Sequence, residues 1–207
     1  MILMPSRGRP HNLERFIAAY KDTQAQAPVV VMLDEDDPSL DQYKEIDLPE
    51  NFLLQVSDKA KDGGIVALFN DFFDNNPNLD WYASVGDDVV PYTHMWDRHL
   101  INSCGKDGIS WARDGFQNHH LPTHPFIGGD LVREWGFIAP RTLKHYYADN
   151  FWRDELNKRG CGMYREDVLM EHMHAIAKKA PLDDTYTEGK DIEADRKAYE
   201  DLNNRNN

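Results

Sequence analysis

The chain has 207 residues, 36 of them acidic and 23 basic, for a net charge of −13. That balance argues against a broad, salt-driven grip on nucleic-acid phosphates, which needs Lys and Arg in excess, though it leaves room for a local basic groove. A hydrophobic fraction of 41% with 29% charged residues reads as a soluble globular chain; no apolar run nears the about 20 residues that span a bilayer, and two cysteines, Cys104 and Cys161, are too few for a disulfide framework or a cysteine zinc site.

Residues 2–4 are apolar and read as a buried strand. They lack the basic segment and longer apolar run of a signal peptide, and a reducing, cytoplasmic setting follows as the expectation. Pro5-Ser6-Arg7-Gly8-Arg9-Pro10 is a loop. Leu13, Phe16, Ile17 and Tyr20 then recur at helical spacing, with Asn12 as the expected N-cap. The Val-rich run 28–33 predicts a second buried strand, and it ends in Asp34-Glu35-Asp36-Asp37-Pro38. A third strand is expected over 52–56. Ile65, Leu68, Phe69 and Phe72 share one face of a helix over 64–73. The aromatic-rich run from Asp80 to Val85 is a fourth strand, and Gly86-Asp87-Asp88 follows it.

This alternation predicts a mostly parallel sheet with helices on its faces. Ligands of such sheets bind beyond the carboxyl ends of the strands, where the loops 5–10, 34–38 and 86–88 converge. The second half is less regular. A helix is expected over 149–158, with Gly160 and Gly162 after its end. An apolar segment covers 168–177. The polar end holds an exposed helix over 191–202 before an Asn-rich terminus. The expected organisation is one α/β domain over 1–189, with a nucleotide-binding half at 1–91, an acceptor half at 92–189, and a polar tail over 190–207.

Adjacent carboxylates at a strand end repel each other unless a cation relieves them. Asp87 and Asp88 therefore point to a divalent metal, with Asp88 the better ligand. His172 and His174 point to one face if their segment is extended, and His-x-His is a common ligand spacing. A mixed carboxylate and imidazole set suits Mn²⁺ better than Ca²⁺. Ser6, Arg7 and Arg9 lie in the first loop, where guanidinium forks match phosphate oxygens. Asp34 can accept from a ribose or base, and Asn70 is a possible polar contact. His119, His120 and His124 are a further cluster that could line a cleft or simply form a polar loop.

Taken in order, these pieces resemble the nucleotide-sugar glycosyltransferases of the GT-A fold, closest to the family-2-like enzymes, over residues 1 to about 175. Met4 to Pro10 is similar to the first nucleotide-binding loop, with Pro5, Ser6, Arg7 and Arg9. Asp34 stands where that family holds the nucleoside. Gly63-Gly64 with Ala67 and Asn70 is similar to the helix under the nucleotide. Gly86-Asp87-Asp88 resembles the Asp-x-Asp metal motif with Gly in its first place. Gly128-Gly129 and residues 131–137 resemble the acceptor-side segment. Tyr147-Ala148-Asp149 stands where the family places an acidic pair whose second member is the general base, here with Ala148 in the first place. His172 or His174 stands where a late His completes the metal site.

The resemblance implies a glycosyltransferase moving a sugar from a nucleoside-diphosphate sugar, a UDP-sugar first of all, to an acceptor hydroxyl. The acceptor is a glycan or a hydroxymethylated base in DNA. Mn²⁺ or Mg²⁺ would be held by Asp88 and His174 or His172, and Asp149 would be the base, with Asp130 in reserve. Pro5, Ser6, Arg7, Arg9, Asp34, Asn70 and Asp87 would contact the donor. Two alternatives stay open. One is an inactive sugar- or nucleotide-binding module. The other is a metal-dependent nucleotidyltransferase, which calls for a Gly-rich triphosphate loop with a Lys; loop 5–10 has only Gly8 and no Lys.

Overall fold

A computed structural model describes residues 1–179 and 192–205. Strands β1 (Ile2–Pro5), β2 (Val29–Asp34), β3 (Phe52–Ser57) and β4 (Trp81–Ser84) run parallel in the order β3-β2-β1-β4. Their residues alternate between two cores because side chains alternate across a strand. Ile2, Met4, Val29, Val31 and Leu33 face one layer, and Leu3, Val30 and Met32 face the other. Both faces being covered explains why β1 and β2 are continuous apolar runs in the sequence.

Four more strands extend the sheet: β5 (Val89–Pro91), β6 (Ile109–Arg113), β7 (Phe126–Gly128) and β8 (Gly162–His172). The full order is β3-β2-β1-β4-β7-β6-β8-β5. β7 is antiparallel to both β4 and β6, β6 and β8 are parallel, and β5 is antiparallel to β8. The result is an α/β fold with an eight-stranded, mostly parallel sheet flanked by helices, Rossmann-like as expected.

On one face lie α1 (Pro10–Asp22), α2 (Leu40–Glu45) and α4 (Trp96–Cys104). Phe16 of α1 meets Trp96 of α4 edge-on at 6.2 Å, and Trp96 meets Phe126 of β7 at 6.0 Å, so one aromatic column ties both halves of the sheet together. On the other face lie α3 (Lys59–Asn75), α5 (Gly129–Trp135), α6 (Ala148–Arg159) and α7 (Ile192–Arg205). Among the described residues no helix is long and apolar enough to cross a membrane.

Three expectations change. Helix α1 starts at Pro10, whose missing N–H costs nothing in a first turn, so Asn12 lies inside the helix and is buried rather than capping it. Helix α3 begins before residue 64 and kinks there. Gly64 has φ of 62°, and a Cβ on it would stand 2.3 Å from the Lys144 carbonyl oxygen. The C-terminal helix is not an exposed appendage. Tyr199 of α7 is buried in the second core, and Asp195, 3% exposed, accepts the backbone N–H groups of Lys144, His145 and Tyr146 at 2.7–2.9 Å. The expected boundary at 189/190 lies outside the described residues.

Candidate active site

The loops after β1, β2 and β4 meet at one edge of the sheet. Arg7 bridges the first two: its Nη1 lies 3.2 Å from Asp34 Oδ2 and 2.6 Å from Asp36 Oδ1. Gly8 N–H donates to Asp37 Oδ2 at 3.0 Å. Asp34 keeps its other oxygen, Oδ1, buried and without a hydrogen-bond partner, and burial raises its pKa. A buried acceptor left open at a strand end suits a hydroxyl or N–H arriving with a ligand.

Asp87 is tied to the first loop. Ser6 Oγ donates to Asp87 Oδ2 at 2.6 Å. Ser6 has one proton to give, so Tyr43 must donate in turn to Ser6, at 2.6 Å, while Arg9 N–H donates to the Tyr43 oxygen at 2.9 Å. Arg9 itself is buried, with Nη1 3.5 Å from Asp87 Oδ1, and the Asn12 side chain also bonds Asp87. Burial, and then the charge of Asp88, push the Asp87 pKa up to about 6 in spite of these partners. Two carboxylates this close and this buried repel each other, and a cation between them would relieve the pair.

Asp88 turns the other way. His172 Nε2 stands 3.3 Å from its Oδ1. The backbone fixes this meeting: Val89 pairs with His172 across β5 and β8, and Met173 N–H donates to the Asp88 carbonyl at 2.8 Å. Behind His172 lies Asp114, just past β6. Its carbonyl accepts His172 N–H at 2.8 Å, and its Oδ2 is 3.9 Å from His172 Nδ1. Asp114 is held in turn by Phe116 N–H, Asn118 N–H and the Thr123 hydroxyl, at 2.7–2.9 Å. Burial alone would lower the His172 pKa, but the Asp114 and Asp88 carboxylates on either side hold it up at about 9.

His124, also buried, completes the cluster. Its ring centre is 4.6 Å from that of His172, and its Nδ1 accepts Gly86 N–H at 3.3 Å. Burial, then the neighbouring His172, lower its pKa to about 3, so it is neutral. A Cβ on Gly86 would stand 2.8 Å from Asp88 Oδ1 and 3.3 Å from His124 Cε1. That close approach explains glycine at a place where the resembling motif carries an acidic residue. His174 follows at a ring distance of 4.9 Å from His172 and stacks flat on Phe116 at 5.2 Å.

Among the described residues no three His, Cys, Asp or Glu side chains close on one ion position. What the chain offers is a pair: Asp88 Oδ1 and His172 Nε2 are 3.3 Å apart. This is near the about 3 Å between adjacent ligands of an octahedral ion with bonds of about 2.1 Å. Two protein ligands with the rest from phosphates and water is an ordinary arrangement for Mg²⁺, so the residues fit a substrate-bridged ion.

The remaining expected residues separate. Pro5 ends β1, opposite Met32. Asn70 is 2% exposed, and its amide braces the 138–139 backbone: Nδ2 donates to the Ala139 carbonyl at 2.8 Å and Oδ1 accepts Ile138 N–H at 2.9 Å. Its hydrogen bonds are structural. Asp149 lies in the first turn of α6. That helix ends just before Gly162, which pairs with Ile109 at the entry of β6, and its 12 residues span roughly 18 Å. Burial raises the Asp149 pKa, which suits a base poised to take a proton.

Asp130 is at the wrong edge. It opens α5 just after Gly128, which pairs with Trp81 at the start of β4, while Asp87 and Asp88 follow the end of that strand; its four residues span roughly 13 Å. Its carboxylate is exposed and pairs with Arg133. The sequence reading missed Tyr43, Asp114 and the buried role of His124. Asp114 had a findable signal, since Arg113-Asp114-Gly115 ends an apolar run as Gly86-Asp87-Asp88 does.

No family model matches the chain, and no curated protein does. Solved structures do match in fold. Rv0371c of Mycobacterium tuberculosis H37Rv, in complex with manganese, matches with a TM-score of 0.52 at 10% identity, covering 96% of each chain. A candidate glucose-1-phosphate thymidylyltransferase of Bacillus anthracis, in complex with sucrose, gives 0.52 at 13% identity, covering 88% of this chain and 96% of that one. CMP:2-keto-3-deoxy-manno-octonic acid synthetase, complexed with CTP, gives 0.51 at 10% identity, covering 81% and 90%. At these identities the likeness is one of fold.

Proposed function

We propose that the protein is a divalent-metal-dependent transferase acting on a nucleotide-linked sugar, with the nucleotide seated across the ends of β1, β2 and β4. The observation that carries this reading is the Asp88–His172 pair at ion-ligand spacing. The unpartnered Asp34 oxygen at the neighbouring strand end supports it as a ribose contact. A bound Mg²⁺ or Mn²⁺ supplies positive charge to the phosphate oxygens that become the leaving group. Ser6 and Arg9 hold Asp87 in place, and Arg7 holds the two nucleotide-side loops together.

Two reactions fit this site. Nucleotidyl transfer to a sugar phosphate is favoured by the comparisons over the glycosyl transfer expected from the sequence, because the similar structures include a thymidylyltransferase candidate and a CMP-sugar-acid synthetase. Glycosyl transfer is favoured by loop 5–10, which has one glycine and no lysine for a triphosphate. The reactions also differ in their need for a base. A sugar phosphate is already an anionic nucleophile, whereas an acceptor hydroxyl must lose its proton, and Asp149 is the group for that step.

The deciding experiment supplies Mn²⁺ with either a nucleoside-diphosphate sugar or a nucleoside triphosphate plus a sugar 1-phosphate. Release of nucleoside diphosphate marks glycosyl transfer and release of pyrophosphate marks nucleotidyl transfer. Nucleotide binding without either product marks a binding module. If no nucleotide raises the melting temperature with Mn²⁺, or if Asp88→Ala leaves that rise intact, the reading falls.

A further inference from the structure

A cavity of about 550 Å³ opens beside the site and is lined by Arg113, Gly115, Asn118, His119, Tyr164 and Glu166. We propose that it is a subsite for a neutral saccharide, the acceptor in the glycosyl-transfer reading above. Its part in transfer rests on the function proposed above; its ligand chemistry does not. The volume lies within the about 300–1,000 Å³ usual for small-ligand sites.

The floor of the cavity is aromatic. Tyr164 is half-buried, with Trp111 tilted against it at 5.7 Å and His119 edge-on at 6.0 Å. A supported ring presents a negative π-face to the polarised C–H groups on one side of a sugar ring. The walls are polar and of opposite charge. Arg113 and Glu166 are exposed, and the side chain of neither makes a hydrogen bond or ion pair with another described residue. Both line the cavity with Tyr164, and their charges act on its hydroxyl in opposite senses. A guanidinium fork and a carboxylate on one aromatic ring supply donors and acceptors with no net charge. That set matches vicinal hydroxyls and discriminates against a strongly anionic ligand.

The backbone is shaped for this arrangement. β6 and β8 pair regularly from Ile109–Gly162 to Ala112–Arg165, and then the register jumps to Arg113–Leu169. Residues 166–168 are thrown out of the ladder, which carries Glu166 to the rim; irregularities of this kind re-aim side chains next to sites. One loop separates the cavity from the Asp88–His172 pair. Gly115 and Asn118 line the cavity, while Phe116 of the same loop packs against His172 and His174. Asp114 binds the loop through Phe116 N–H and Asn118 N–H. A sugar on Tyr164 therefore lies one loop away from the proposed transfer centre.

The test is saturation-transfer NMR on the full chain, with a panel of neutral mono- and disaccharides and, separately, a single-stranded oligodeoxynucleotide. Sugar-ring protons should receive saturation in the wild type. Arg113→Ala and Tyr164→Ala should each weaken saccharide binding by about ten-fold or more, with Mn²⁺ affinity unchanged. Arg113→Ala removes an exposed side chain and keeps the test valid if Tyr164→Ala disturbs packing. The proposal is overturned if no saccharide binds, if both variants bind as the wild type does, or if only the oligonucleotide binds. Variant-sensitive saccharide binding in a protein that binds no nucleotide keeps the subsite and removes the transferase reading.

Discussion

Asp87 and Asp88 are adjacent in sequence but belong to different halves of the molecule. Asp87 is anchored by Ser6, Arg9 and Asn12, all from the β1–α1 segment of the parallel half. Asp88 is engaged by His172 and, through it, by Asp114, from β8 and the end of β6 in the mixed half. In the parallel half the loop groups mostly bind one another, though Asp34 Oδ1 is buried without a hydrogen-bond partner. The mixed half leaves its imidazoles incompletely satisfied: His172 Nδ1 and His124 Nε2 are buried without hydrogen-bond partners. Since buried polar groups are nearly always paired, these two nitrogens and Asp34 Oδ1 across the site are where an ion or substrate has work to do.

The sharpest way to break this comparison is Asp88→Ala. It should remove Mn²⁺-dependent nucleotide binding, with an affinity loss above the about hundred-fold ceiling seen for outer-shell changes; calorimetry with and without metal reads it. Asp149→Asn should leave nucleotide affinity intact and lower turnover about 10²–10⁴-fold if the reaction is glycosyl transfer. Normal turnover there removes Asp149 as the base. Asp114→Asn touches no substrate, yet it should weaken Mn²⁺ binding by about 10–100-fold, because the carboxylate behind a metal-binding imidazole orients it. Mn²⁺ titration followed by electron paramagnetic resonance measures that loss directly.

Two smaller effects concern stability. Asp195→Ala leaves three backbone N–H groups of residues 144–146 without their acceptor. The cost should be about 1–3 kcal/mol, or roughly 2–12 °C of melting temperature for a chain of this size. In chelator-treated protein, His172 makes stability depend on pH. Its folded pKa, about 9, lies above its ordinary value. The contribution is complete below about 6.5 and is lost as pH rises through the folded value. The melting temperature should fall across that window, and His172→Asn should flatten the fall; an unchanged slope would show that the flanking carboxylates do not hold the proton.

The parallel half was legible because strands buried on both faces are written as apolar runs, and the polar loops that end them stand out. The mixed half was legible only in pieces. The spacing of His172 and His174 implied one shared face, and the structure sets their ring centres 4.9 Å apart, with His172 beside Asp88. Asp130 read as a neighbour of the site because β7, three residues long, carries no mark of direction. Being antiparallel, it delivers the start of α5 to the far edge. Asn12 read as a cap because local spacing cannot foresee that Asp87, at the end of the neighbouring strand β4 but far along the chain, will bond its side chain.

The amino-acid sequence by itself determined the α/β alternation, the edge where the loops gather, and the pair of carboxylates at the end of β4. Periodicity and chain punctuation are local properties and survive without a fold. Only the tertiary structure decided which carboxylate faces the imidazole, that Asp114 and His124 stand behind it, and that a cavity lies next door at the shift in register. Those contacts join segments distant in the chain, and they exist only once strand order and direction have been set by packing both faces of the sheet.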